Sequence, residues 1–184
     1  MGYPLKFNVI RTGKLKFPEK GGKFGRHARG SRAHNGWDLN ANSGTTVFAV
    51  GPGEITYVAE NVSGYGTIVQ LKFIANGSKY YWALYAHLSK VFVKQGKRIE
   101  HGGVIGLTGN TGNAKGTPPH LHFEVATSGN LMKGRNNLID PSEVLGEFLR
   151  DNEAGRTILV ERDYPSQPLS IEEIEYAIKL KSIA

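Results

Sequence analysis

Between Trp37 and Val125 the chain is cut by glycine turns into short runs whose apolar residues alternate, a pattern that leaves no room for a long helix. Thr45–Val50 is one run, closed by Gly51-Pro52-Gly53, and Glu54–Ala59 is the next. Gly64-Tyr65-Gly66 separates that run from Thr67–Phe73. Asn76-Gly77, ahead of Lys79–Ala86, is a strong hairpin signal because both residues tolerate positive φ. Lys97–Gly106 and His120–Val125 complete the series, and 24 glycines in 184 residues fit a turn-rich β architecture. These features predict a mainly β fold built on antiparallel sheet. After Pro141 the spacing turns helical, over Ser142–Arg150 and Ile171–Ile183, with Ser142 and Ser170 as expected N-caps and Glu173 completing a capping box.

Several classes are excluded early. The chain has no cysteine, so disulfides, thiolate ligands and a cysteine nucleophile are ruled out. No stretch approaches the roughly 18 consecutive apolar residues of a transmembrane helix. The first twenty residues contain no apolar core of signal-peptide length, and Lys6 stands where a myristoylation motif needs Ser or Thr. Charge is uneven: residues 1–139 hold 18 Lys and Arg against 6 Asp and Glu, whereas residues 140–184 hold 5 against 10. The basic part suits an anionic polymer or an acidic partner, but charge alone does not choose between them.

Histidines carry the chemistry. In His120-Leu121-His122-Phe123-Glu124-Val125, strand alternation sends His120, His122 and Glu124 to one face and Leu121 and Phe123 to the core. The two imidazoles, roughly 6.6 Å apart along the strand, can share one metal, or one can bind it while the other faces a bound water. His34-Asn35-Gly36-Trp37-Asp38 supplies a second pair, which would lie roughly 13 Å apart if extended. Asn35-Gly36 lets the chain curve so that both reach one ion. His87 ends an aromatic run, His101 lies in a glycine turn and reads as structural, and His27 lies in a basic loop with no assigned role. Two histidines and an aspartate would leave one zinc position open for water, and two further histidines could move a proton and stabilise an oxyanion.

At this point the ordered motifs resemble a known family, the lysostaphin-type (LytM-like) zinc peptidoglycan endopeptidases. The resemblance is carried by His34-x-Gly36-x-Asp38, by Gly44-Thr45…Val47…Ala49…Gly53-x-Ile55 and by Tyr85-Ala86-His87-Leu88. It continues through Lys94-x-Gly96…Ile99…Gly102-x-x-Ile105-Gly106-x-x-Gly109-x-Thr111-Gly112 and His120-Leu121-His122-Phe123-Glu124. It implies zinc as cofactor, with His34, Asp38 and His122 as ligands and His120 and His87 acting on the water and the tetrahedral intermediate. It implies an antiparallel sheet with loops around a narrow groove, and peptidoglycan cross-links as substrate, cut outside the cytoplasm. The D,D type is favoured over glycine-bridge cleavage, because no wall-anchoring module is recognisable. Trp37, where the family has a small or acidic residue, is expected on the groove wall.

The expected organisation is an N-terminal extension over 1–23, the peptidase domain over 24–145 and a helical extension over 146–184. Missing export and wall-binding signals suggest a phage lysin or an injected antibacterial effector, with a secretion-machine, phage-structural or immunity protein as a further partner. Rival readings explain less. A non-catalytic binding or activator module of the same fold would not need all five polar residues. A lipoyl or biotin carrier gives no reason for His-Leu-His, a cupin needs its glutamate further on, and nucleic-acid binding accounts for the basic loop alone.

Overall fold

The structure, a computed structural model, describes residues 2–5, 10, 22–29, 32–129, 137–146, 149–151 and 157–159. Its centre is a nine-stranded sheet whose ladders are all antiparallel. The long members are β5 (Gly53–Val62), β6 (Gly66–Ala75) and β7 (Lys79–Val91). The β6–β7 hairpin turns at Asn76 and Gly77, both at positive φ as the dipeptide predicts. β8 (Arg98–Ile99) pairs with β5, while β4 (Thr46–Phe48) and β9 (Val104–Thr108) add a second edge against β7. Strand β10 (His120–Ala126) lies between β7 on one side and β3 (Trp37–Asn40) and β11 (Leu138–Ile139) on the other. A separate hairpin, β1 (Gly25–Arg29) with β2 (Arg32–His34), leads into β3.

Every residue of β10 is buried, because core packs on one face and the polar site covers the other. Leu121, Phe123 and Val125 enter the core, where Phe123 meets Tyr85 edge-on at 5.2 Å between centroids. The same cluster takes in Tyr3, Leu5 and Ile10 from the start of the chain. Residues 2–5 lie along β4, with Gly2 N–H donating to Val50 and Pro4 accepting from Phe48.

Trp37 is the first correction. It is fully buried against Phe123, with ring centroids 6.4 Å apart, and forms no groove wall. Its neighbour Asp38 faces the site, so the period of two on β3 turns Trp37 to the core. The second correction concerns the segment after Pro141. Helix α1 covers Ser142–Leu145 only, Pro141 occupies the cap position, and Ser142 makes no side-chain cap. Gly146, at φ 89°, ends the helix, and β12 (Leu149–Asp151) then pairs with β13 (Thr157–Leu159). The expected helix over Ile171–Ile183 lies outside the described residues.

Candidate metal centre

Two local features bring the polar residues together. First, β3 and β10 pair so that Asp38 stands directly opposite His122, placing the two side chains within contact range on one face. The chain bends at Gly36 between β2 and β3, and His34 Nε2 reaches Asp38 at 3.2 Å. A side chain at Gly36 would run into the Phe123 carbonyl, so this approach needs glycine.

Second, β7 carries a bulge at Ala86-His87. Val69 pairs with Tyr85 and Thr67 with Leu88, so two residues of β7 oppose Ile68 alone. Tyr85 and Leu88 both face the core, and the extra residue, His87, takes φ 61° and is spared the inward alternation. Its N–H donates to the Tyr65 carbonyl at 2.9 Å.

The donors converge on Asp38. Its Oδ1 lies 3.2 Å from His34 Nε2 and 2.7 Å from His122 Nδ1, and the three ligand atoms are within 4.8 Å of one another. All three residues are buried. The outer nitrogens are also committed: His34 Nδ1–H donates to the Lys23 carbonyl at 2.7 Å, and His122 Nε2 faces Glu124 Oε1 at 2.9 Å. A carbonyl can only accept, so His34 keeps its lone pair on the inward Nε2. One carboxylate and two oriented imidazoles are the donor set that suits zinc, and three protein ligands leave a fourth position open.

His120 and His87 complete the cluster. His120 Nδ1 donates to the Pro118 carbonyl at 3.1 Å, and its Nε2 lies 3.8 Å from Asp38 Oδ1. His87 Nδ1 donates to the Thr111 carbonyl at 2.8 Å. Thr111 is fixed in turn, its hydroxyl donating to Leu88 and accepting from Thr67 N–H. The His87 and His120 rings are 4.9 Å apart by centroid. Burial, and then the neighbouring His122 and His120, lower the His87 pKa to about 3, so the ring is neutral with Nε2 bare. These groups line an open groove of about 460 Å³ whose walls include Tyr65, Asn113 and Thr117.

Thus all five predicted residues come together. His101 lies apart, partly buried, where a side chain on Gly2 would strike its ring. The side chain of His27 lies outside the described residues. Sequence reasoning assigned no role to Glu124, Tyr65 or Thr111. The signal for Glu124 was its place on the His120/His122 face, and that for Thr111 its place in the Gly109-x-Thr111-Gly112 motif; no spacing links Tyr65 to the site.

Residues 32–134, more than half of the chain, match the model of Peptidase family M23. The chain belongs to this family. Among its relatives is the peptidoglycan DD-endopeptidase ShyA of Vibrio cholerae, 34% identical over 121 residues, or 63% of this chain and 26% of that protein. Another is the DD-carboxypeptidase/endopeptidase Mpg of Neisseria meningitidis, 42% identical over 98 residues, or 53% of this chain and 21% of that protein. The matches therefore span about a quarter or less of these relatives. The catalytic domain of the antimicrobial peptidase lysostaphin from Staphylococcus simulans superposes at TM-score 0.54 and 30% identity, covering 66% of this chain and 86% of that one.

Proposed function

We propose that the protein is a zinc metalloendopeptidase that hydrolyses peptide cross-links of bacterial peptidoglycan, preferentially of the D,D type. The observation that carries this reading is the convergence of His34 Nε2 and His122 Nδ1 on one buried Asp38 oxygen, beside two more anchored histidines. Relatives named as DD-endopeptidases favour the D,D bond. The proposed catalytic unit is 24–145, flanked by extensions over 1–23 and 146–184, with Tyr3, Leu5 and Ile10 of the first packed into its core.

In this mechanism His34, Asp38 and His122 would hold the ion. Zinc, when bound, lowers the pKa of a water toward 7 and polarises the scissile carbonyl. His87, neutral with a bare Nε2, accepts a hydrogen bond from the attacking water and orients it. His120, whose Nδ1–H is held by Pro118, takes the water's proton on Nε2 and returns it to the leaving amine.

The test is mass spectrometry of cross-linked muropeptides incubated with the protein, with and without a zinc chelator. Chelator-sensitive conversion of dimers to monomers is expected, with product masses naming a D,D bond. His122→Ala should lose zinc and turnover together, whereas His120→Ala should keep most zinc and lose about 10²–10⁴-fold in rate. Conversion that persists without zinc, or parent-like turnover in both variants, would overturn the assignment.

A further inference from the structure

Three of the four site histidines share one arrangement: Nδ1 donates to a backbone carbonyl, of Lys23, Thr111 or Pro118. His122 is reversed. Its Nδ1 points at Asp38 and its outer nitrogen is Nε2. It sits in mid-strand between β3 and β7, where the neighbouring main-chain carbonyls are spent on the two ladders. A side chain must therefore supply the acceptor, and the residue that does so is Glu124.

Glu124 is fully buried. Its Oε1 lies 2.9 Å from His122 Nε2 and also accepts from the Tyr65 hydroxyl at 2.9 Å. Its Oε2 is buried with no hydrogen-bond partner among the described residues. A carboxylate sealed from water in this way is costly, and an apolar side chain would pack there with less penalty. The chain also makes room for it: a side chain on Gly36 would meet the Glu124 Cγ. Tyr65 ties the carboxylate to the other half of the site, because the Tyr65 carbonyl accepts the His87 N–H while its ring lies 5.8 Å from that of His122.

We propose that Glu124, braced by the Tyr65 hydroxyl, is a positioning residue for the metal ligand His122. By accepting from Nε2–H it fixes the ring angle and leaves the lone pair on Nδ1, aimed at the ion. This inference rests on the zinc reading above. It extends that reading to a carboxylate that touches neither substrate nor metal and to a tyrosine at the tip of the β5–β6 turn.

The experiment compares the parent with Glu124→Leu, Glu124→Gln and Tyr65→Phe in the full chain. Zinc affinity is read by competition with a chromophoric chelator, and the zinc-free proteins are melted by circular dichroism. Glu124→Leu should bind zinc about 10–100-fold more weakly, while its zinc-free form melts at or above the parent temperature. Glu124→Gln, which keeps an acceptor oxygen, should recover most of the affinity, and Tyr65→Phe should lose a few-fold. In zinc-loaded parent labelled with ¹⁵N-histidine, His122 should carry its proton on Nε2. Parent-like zinc affinity in Glu124→Leu would overturn the brace, as would equal losses in the Leu and Gln variants with lowered zinc-free melting. If Glu124→Leu fails to fold, unchanged affinity in Tyr65→Phe or a proton on Nδ1 overturns it instead. A parent that binds no zinc at all would defeat the zinc reading itself.

Discussion

At the scale of single residues, His87 combines an unusual backbone with an unusual environment. Its φ of 61° is open to few residue types, and its ring is buried beside two other imidazoles. The consequence for stability follows from linkage. The folded zinc-free protein holds this pKa at about 3, below the ordinary 6.5, so between those values the unfolded chain binds a proton that the folded chain does not. Stability contributed above pH 6.5 is therefore lost as pH falls toward 3. Urea midpoints of the zinc-free protein should drop between pH 7 and pH 4.5, and His87→Asn, which tolerates left-handed backbone, should flatten that drop. Parallel slopes in the two proteins would show that the acid limb is not set by His87.

At the scale of elements, the site is a product of strand pairing, and much of it could be read from period two alone. Alternation along His120–Val125 sends His120, His122 and Glu124 to one face, and the Asn76-Gly77 hairpin and the glycine turns set the sheet. The same rule, applied to β3, turns Trp37 inward once Asp38 faces the site. The bulge at Ala86-His87 was not legible, because it arises from a register shift against β6 that only tertiary pairing defines. Nor was the reversal of His122, which depends on which acceptor lies behind each ring. The end of α1 was missed because Gly146 stops a helix whose apolar spacing continues beyond it. The turn into β3 makes its own prediction. Gly36→Ala forces a methyl group into the Phe123 carbonyl, which should cost about 1–3 kcal/mol and weaken zinc retention. Denaturant titration with zinc analysis would detect both, and an unchanged midpoint would show that the β2–β3 turn relaxes freely.

For the whole molecule, one core joins the start of the chain to the sheet. Leu5 is fully buried in the cluster that holds Phe123 and Tyr85. Leu5→Ala should therefore destabilise the protein by about 2–5 kcal/mol, read as a lowered urea midpoint with unchanged slope. A loss below 1 kcal/mol would mean that residues 2–5 sit on the core without supporting it. Among the described residues no helix is long and apolar enough to cross a membrane.

The contact between Asp38 and His122 joins positions 84 residues apart in a chain without cysteine. An ion shared by them would act as a removable clip on the folded chain, adding its binding free energy to the stability of the fold. Loading the ion would then tighten a loop that contains most of the sheet, and stripping it would loosen that whole loop at once. Proteolytic resistance of β5, β6 and β7, which supply no ligand, should therefore rise and fall with occupancy of a site on β2, β3 and β10.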